Sequence, residues 1–259
     1  MTHVGTTIWA SEALPPMTLQ VVLIGNDGIV IASDTRATNS PQEISKEFKA
    51  IQTTDELQKI KLVNSRFVYL FAGDECAKMV GAAVARVVGE SLDCLSETLV
   101  REISNSTLRE YRRLGPRDRV DYRKVIWVQA KEAGWGVWIA KCLDRDACFD
   151  VEFIFVNRRK LAFFAGHEPN PARYIVEDYY LEHKYPLRSV SSLKRMAAHV
   201  IVTGSKFSSN VRGLEMVFGV NNSFTQVSQD DLQTLINESD RLHAGINKYF
   251  DDPKSIPQI

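Results

Sequence analysis

The sequence predicts an α+β fold in which antiparallel β-sheets are covered by layers of helices. Segments with strand composition and segments with helical periodicity occur in separate blocks along the chain, which is typical of this class. Short turn signals join the first strands, and tight hairpins connect antiparallel neighbours. No repeat or linker-like segment divides the chain after residue 17. We therefore expect one domain over residues 18–259, preceded by a leader or arm over residues 1–17.

Two β-hairpins open the predicted domain. In residues 18–34, two β-branched runs flank Asn26-Asp27-Gly28, residues that tolerate positive φ in tight turns. Residues 39–56 are polar and irregular and predict a connecting loop. The second hairpin covers residues 59–73 and turns around Asn64-Ser65.

Helical periodicity replaces the strand pattern at Asp74. Apolar residues in 74–92 recur at helical spacing, and the acidic first turn suits the helix dipole. Ser228 is placed to cap the last helix. The other predicted elements are helices over 95–115, 171–185, 189–205 and 229–250, and strands over 122–142, 150–157, 160–166, 213–220 and 223–228.

Composition excludes several classes of partner. Lys plus Arg and Asp plus Glu number 32 each, so the formal net charge is zero. A balanced chain gives no overall attraction to nucleic acid or to an anionic membrane. No apolar run approaches the length that spans a bilayer. We therefore expect neither a nucleic-acid partner nor a membrane partner.

Cysteine usage and the absence of ligand motifs narrow the chemistry. The four cysteines form no CxxC pair, which favours free thiols in the reducing cytoplasm. Gly-rich phosphate loops and clustered His and Cys ligands are absent from the sequence, so we expect no cofactor and no metal. Carboxylate, lysine and hydroxyl side chains remain as candidates. The cysteines are Cys76, Cys94, Cys142 and Cys148.

The first third of the chain carries three motifs, which are TLQVVLIGNDGIVIASDTRAT, Lys59-Ile60, and LFAG before a helix. Together these motifs resemble those of a proteasome β-type subunit, including the bacterial relatives of that family. The family's Asp follows its Thr by sixteen residues, and here 34 − 18 = 16. The family's Lys precedes its helix-start Gly by fourteen residues, and here 73 − 59 = 14. The resemblance implies an N-terminal-nucleophile (Ntn) hydrolase fold, a four-layer αββα sandwich with two antiparallel sheets between helix layers.

The resemblance also implies a role for each of these residues. Thr18 Oγ would attack a peptide carbonyl, with the α-amino group of Thr18 as the base. Lys59 would lie beside that hydroxyl and favour the alkoxide, and Asp34 would pair with Lys59 and fix its position. Arg36 would brace the network from the same strand face, if the strand continues. The N–H group of Gly73, near a helix N-terminus, would stabilise the oxyanion.

Five residues match the first substrate pocket of the family by position. Phe71 would fill the floor and Glu75 would form the wall. We expect small or medium apolar substrate side chains, with basic ones tolerated if Glu75 points inward. The five positions are Ala37, Leu57, Phe71, Glu75 and Met79.

Three departures from the family pattern keep other readings open. Gly166-His167 stands where the family has a Ser, and His167 is a candidate replacement. Arg212-Gly213 follows Ser208-Ser209-Asn210 in place of an Asp-x-x-Ser-Gly motif. Met17 precedes Thr18 where self-processing relatives have Gly. Removal of Met17 as an initiator would expose Thr18, whereas a retained leader would keep Thr18 acylated.

The sequence thus predicts a threonine-type peptidase that cuts peptides or unfolded proteins inside a homo-oligomeric ring, with or without an ATPase partner. A non-catalytic structural subunit of such a ring, with its leader retained, is the first alternative. A small-molecule amidase on the same fold is the second, although members of that kind begin with Cys or Ser.

Overall fold

The computed structural model of the chain describes its elements over residues 18–38, 53–54, 57–90, 95–114, 122–143, 148–157, 159–166, 174, 176–181, 187–207 and 211–251. The predictions for the leader 1–17, for Met17, for Cys94, for His167 and for residues 208–210 lie outside these residues.

The strands and helices follow the predicted order closely. The strands are β1 (Leu19–Ile24), β2 (Gly28–Ser33), β3 (Ala37–Thr38), β4 (Thr53–Thr54), β5 (Ile60–Asn64), β6 (Phe67–Ala72), β7 (Tyr122–Lys131), β8 (Gly134–Leu143), β9 (Asp150–Val156), β10 (Leu161–Gly166), β11 (Glu215–Val220) and β12 (Ser223–Gln226). The helices are α1 (Glu75–Glu90), α2 (Glu97–Arg113), α3 (Val190–Phe207) and α4 (Gln229–Asp251).

Two antiparallel sheets carry the fold. The first has the strand order β10-β1-β2-β11-β12, and the second has the order β5-β6-β7-β8-β9. The short strands β3 and β4 pair only with each other. The predicted site residues Thr18, Asp34 and Lys59 lie where β1, β2 and β11 of the first sheet face β5 and β6 of the second.

Three apolar clusters define four layers. The first lies between the first sheet and α3 and α4, where Leu23 packs in the same cluster as Leu193. The second lies between the two sheets and includes Ile31 and Val128. The third lies between the second sheet and α1 and α2, around Trp127. The layers therefore run helix, sheet, sheet, helix, and the predicted αββα sandwich is confirmed.

The first hairpin turn also positions a helix. Gly25 N–H donates to the Gly28 carbonyl at 2.9 Å and closes the predicted turn. Asp27 Oδ1 accepts the Val190 N–H at 2.7 Å, so the turn satisfies a free donor in the first turn of α3. At the start of α4, Ser228 Oγ accepts the Asp231 N–H at 3.2 Å, which confirms the predicted cap.

Two local predictions need correction. The segment predicted as a helix over 171–185 is helical where it is described, but its turn over Glu177–Leu181 is π-helical. This turn follows Val176 and includes Tyr180, both buried in the cluster under α3. Strand β2 ends at Ser33, because the chain then turns to meet Arg212, whose carbonyl accepts the Thr35 N–H at 2.9 Å. Arg36 therefore does not lie on the face of a continuing strand.

Two further observations concern the cysteines and the length of the helices in the described residues. Cys76, Cys142 and Cys148 are free cysteines. None of the helices in the described ranges is long and apolar enough to cross a membrane.

Candidate active site

Thr18 lies directly before β1, at the end of the first sheet and between the ends of β10 and β2. Leu19 N–H donates to Asp34 Oδ1 at 2.8 Å, and Asp34 N–H donates to the Leu19 carbonyl at 3.0 Å. On the other side, Leu19 is paired with Gly166 of β10. The backbone next to Thr18 is therefore fixed on both sides by sheet register.

Lys59 joins the two sheets at this point. Its Nζ donates to Asp34 Oδ2 at 2.8 Å and to Thr18 Oγ1 at 3.3 Å. The Lys59 side chain is 4% exposed and the Asp34 side chain is fully buried. The structure thus brings together the hydroxyl, the lysine and the carboxylate that the resemblance selected.

Burial and charge pairing act against each other in this ion pair. Burial lowers the pKa of Lys59, and the negative charges of Asp34 and Glu215 oppose that change. Burial likewise raises the pKa of Asp34, which the Lys59 ammonium and the N–H groups of Leu19 and Arg36 oppose. A buried charge persists when it is paired and hydrogen-bonded, and both conditions hold for this pair.

Arg36 reaches the network through its backbone. Its N–H donates to the Asp34 carboxylate and holds down the pKa of that group. The neighbouring Thr35 carbonyl accepts the Leu57 N–H at 2.9 Å. The segment after β2 is thereby tied to the segment that leads to Lys59.

Gly73 stands where the chain passes from β6 into α1. It is exposed and has a φ of 121°, a conformation that glycine adopts far more readily than other residues. The next residue, Asp74, is held by Arg123 in a bidentate ion pair with contacts of 2.6 and 2.9 Å. Both of these side chains are almost fully buried. A rigid charged pair therefore fixes the start of α1 beside Gly73.

The predicted pocket residues lie in different environments. Phe71 is buried in the apolar cluster under α1, whereas Glu75 is exposed at the first turn of α1 and pairs with Lys78 at 3.0 Å. Met79 is half-buried one helical turn further on, and Leu57 is half-buried in the segment before Lys59. Ala37 belongs to β3, but its side chain is outside the described part.

Sequence reasoning missed Glu215. This residue opens β11 and is 7% exposed. Its Oε1 accepts the N–H groups of Lys59 at 2.5 Å and Ile60 at 2.8 Å. The signal was a single carboxylate in the apolar strand pattern of 213–220, which sequence alone could not connect to Lys59.

Gln20 was missed for the same reason. It is fully buried on β1, and its Nε2 donates to the Phe71 carbonyl at 2.8 Å and to Ser33 Oγ at 3.2 Å. It links the first sheet to β6 close to the candidate site. A polar residue inside an apolar strand was the available signal.

Comparison with known proteins gives a fold but no family. No family model matches the chain, and no curated protein matches it. Among solved structures, an Anbu Gly-1 mutant from Hyphomicrobium sp. strain MC1 is 17% identical with a TM-score of 0.56, covering 89% of this chain and 98% of that one. Anbu, ancestral beta-subunit, from Yersinia bercovieri is 13% identical with a TM-score of 0.61, covering 93% and 98%.

These neighbours correct the assignment made from the sequence. The resemblance pointed to the proteasome β-type subunits, whereas the two structural neighbours are Anbu proteins. At this identity the likeness shows the fold alone. The chain has a proteasome-like Ntn-hydrolase fold, and assignment to the β-type subunit family is withdrawn.

Gly166 provides a test of how tightly Thr18 is packed. Its φ is 130°, and a Cβ added there would lie 1.7 Å from the Thr18 carbonyl oxygen. Gly166→Ala should therefore displace Thr18 and lower the free energy of unfolding by about 2 kcal/mol or more. Urea unfolding measures the loss.

The matched control is Gly245→Ala on α4, where no atom lies within 4 Å of the added Cβ. The free energy of unfolding of that variant should equal that of the wild type or exceed it by about 0.5–1 kcal/mol, because Ala is favoured over Gly inside a helix. Equal stability of the Gly166 variant and the wild type would contradict the packing described for Thr18.

Glu215 makes stability depend on pH. Burial raises its pKa from the ordinary 4.5 to about 7, against the effect of the Ile60 and Lys59 N–H groups and of the Lys59 charge. Between these two values the folded chain binds more protons than the unfolded chain. The stabilising contribution is therefore complete below pH 4.5 and lost as the pH rises through 7.

Glu215→Gln cannot ionise and keeps an acceptor oxygen. Its free energy of unfolding relative to the wild type should rise by up to about 3 kcal/mol from pH 4.5 to 8, a range set by about 1.4 kcal/mol per pKa unit. Urea unfolding of both proteins at several pH values measures this difference. Parallel stability profiles would show that Glu215 is not protonated on folding.

Proposed function

We propose that the protein is a threonine-type peptidase whose nucleophile is Thr18 Oγ1, active once the Thr18 amino group is free. The observation that carries the proposal is the position of Lys59 Nζ, 3.3 Å from Thr18 Oγ1 and 2.8 Å from Asp34 Oδ2. A lysine held in place by a buried carboxylate and directed at a threonine hydroxyl is an arrangement for nucleophilic catalysis.

In the proposed reaction the free α-amino group of Thr18 takes the hydroxyl proton as Oγ1 attacks the substrate carbonyl. An α-amino group has an ordinary pKa of about 8 and is therefore a suitable base near neutral pH. Lys59 favours the developing alkoxide through its positive charge. The amine then protonates the leaving nitrogen, and a water molecule hydrolyses the ester that links the substrate acyl group to Thr18.

Gly73 is the proposed oxyanion donor. It is exposed at the start of α1, where free N–H groups and the helix dipole favour negative charge. The buried ion pair of Asp74 and Arg123 keeps this turn in place. Arg36 supports the site through its backbone N–H on Asp34.

The first substrate pocket is proposed beside α1. Glu75 and Met79 lie one turn apart on that helix and so share a face. Small or medium apolar substrate side chains suit this pocket, which Leu57 and Ala37 would also line. Phe71, which is buried under α1, would form its floor. A basic substrate side chain would compete with Lys78 for Glu75.

We also propose that the active form is a homo-oligomeric ring, which an ATPase partner would supply with unfolded protein. One structural neighbour is named a beta-subunit, which supports a role as a subunit. Edge strand β9 exposes Phe153 and Phe155, and exposed aromatic residues are common where subunits meet. Free thiols at Cys76, Cys142 and Cys148 suit the cytoplasm.

The second candidate is a structural subunit without catalysis. It is favoured by His167, which follows Gly166 at the position where proteasome β-type subunits have a Ser. It applies to any form in which Met17 remains bound to Thr18, because a peptide nitrogen cannot accept the proton. An amidase acting on small molecules is distinguished by substrate profiling.

Replacement of Lys59 tests the proposal, with an exposed lysine outside the site as the comparison. Lys59→Met should lower kcat for a fluorogenic peptide at least about 100-fold, since charge stabilisation of the nucleophile is lost. Thr18→Ala should abolish hydrolysis while the assembly, measured by analytical ultracentrifugation, is unchanged.

The control is Lys141→Met on β8, because Lys141 is exposed and pairs with Asp150 at 3.4 Å. Its kcat should stay within about twofold of the wild type, as expected for a substitution away from the chemistry. Full activity in the Thr18→Ala protein would refute the proposed nucleophile.

A further inference from the structure

We propose that Glu215 is a positioning residue for Lys59, a role that rests on the proposed function. Glu215 and Asp34 hold the two ends of the same lysine. Asp34 binds the Lys59 ammonium, and Glu215 binds the Lys59 backbone N–H. The contact with Glu215 fixes the Lys59 backbone, and the contact with Asp34 fixes the Nζ atom. Both are needed to place the whole side chain.

The backbone at Lys59 has little other support from β-sheet pairing. Strand β5 begins only at Ile60. The Lys59 carbonyl accepts the Phe71 N–H at 3.3 Å, which is long for such a bond. Glu215 Oε1 instead accepts two consecutive N–H groups, from Lys59 at 2.5 Å and Ile60 at 2.8 Å. One oxygen atom therefore sets the start of β5.

Sheet register places Glu215 to do this. In the first sheet Glu215 lies opposite Ser33, the residue before Asp34. Cross-strand partners share a face of a sheet, so Glu215 lies on the same face as Ser33 and contacts the Lys59 backbone from there. Asp34 follows the point where β2 ends and contacts the Lys59 ammonium. The two carboxylates thus lie at neighbouring strand ends. Lys59 reaches between them, so the distance from Nζ to Thr18 Oγ1 depends on both strands.

The chemistry of the contact separates position from charge. Both N–H groups donate to Oε1 alone, and a glutamine carbonyl oxygen can accept two hydrogen bonds. Glu215→Gln keeps the acceptor and loses the charge. Glu215→Asp keeps the charge but withdraws the acceptor by about 1.5 Å, the length of one carbon–carbon bond.

The kinetic experiment compares these two variants in the mature chain. For Glu215→Asp we expect kcat to fall about 10- to 100-fold with little change in KM, because a displacement of about 1 Å near the reacting atoms costs up to that factor. For Glu215→Gln we expect kcat to stay within about threefold of the wild type, because the acceptor oxygen is retained. Glu238→Ala, which removes an exposed partner of Arg195 on α4, is the control and should leave kcat unchanged.

The outcomes are distinct. Loss of kcat in the Gln variant with retention in the Asp variant would assign Glu215 an electrostatic role and overturn positioning. Unchanged kcat in both variants, with altered stability only, would make Glu215 a purely structural link between the sheets and also overturn it.

Crystal structures of both variants provide a readout that needs no activity. In Glu215→Asp the distance from Lys59 Nζ to Thr18 Oγ1 should exceed hydrogen-bonding range, about 3.5 Å, whereas in Glu215→Gln it should be unchanged. An undisturbed Lys59 in the Asp variant overturns the proposal. If the wild type does not cut peptides, the proposed function fails, and these structures still decide whether Glu215 positions Lys59.

Discussion

The buried ion pair between Lys59 and Asp34 is the interaction on which the candidate site depends. It links the two sheets, since Asp34 follows β2 of the first sheet and Lys59 precedes β5 of the second. A buried pair of this kind contributes little net stability compared with apolar packing, but loss of one partner leaves an unpaired charge at a cost of about 3–5 kcal/mol. The pair therefore matters for the position of the ammonium group, which it holds within hydrogen-bonding distance of Thr18 Oγ1.

The surrounding polar contacts also hold Asp34 and Lys59 in position. Leu19 and Arg36 donate backbone N–H groups to Asp34, and Glu215 accepts the backbone N–H of Lys59. Gln20 ties β1 to β6. These polar groups lie at the end of a sheet interface that is otherwise apolar. The burial that stabilises the sandwich thus also removes the ion pair from water, which strengthens the Coulomb attraction between the two charges while costing them their hydration.

Sequence reasoning reached the fold because its signals are local. Strand alternation and the Asn26-Asp27-Gly28 turn can each be found without knowing which strands pair. Thr18, Asp34 and Lys59 were selected by a resemblance of motifs, and their roles remain a proposal. Glu215 could not be found in this way, since its contact joins residues 156 apart in the chain. The end of β2 at Ser33 likewise depends on a tertiary hydrogen bond. The family assignment is corrected by the structural neighbours, which are Anbu proteins at an identity that shows the fold alone.

The most direct test of Thr18 as the nucleophile is the intact mass and N-terminal sequence of the form of the protein that hydrolyses peptides. We expect this form to begin at Thr18, so that a free amino group adjoins Oγ1 and Lys59. An active form in which Met17 is still joined to Thr18 would contradict the proposed mechanism, because the nucleophile would then have no α-amino base.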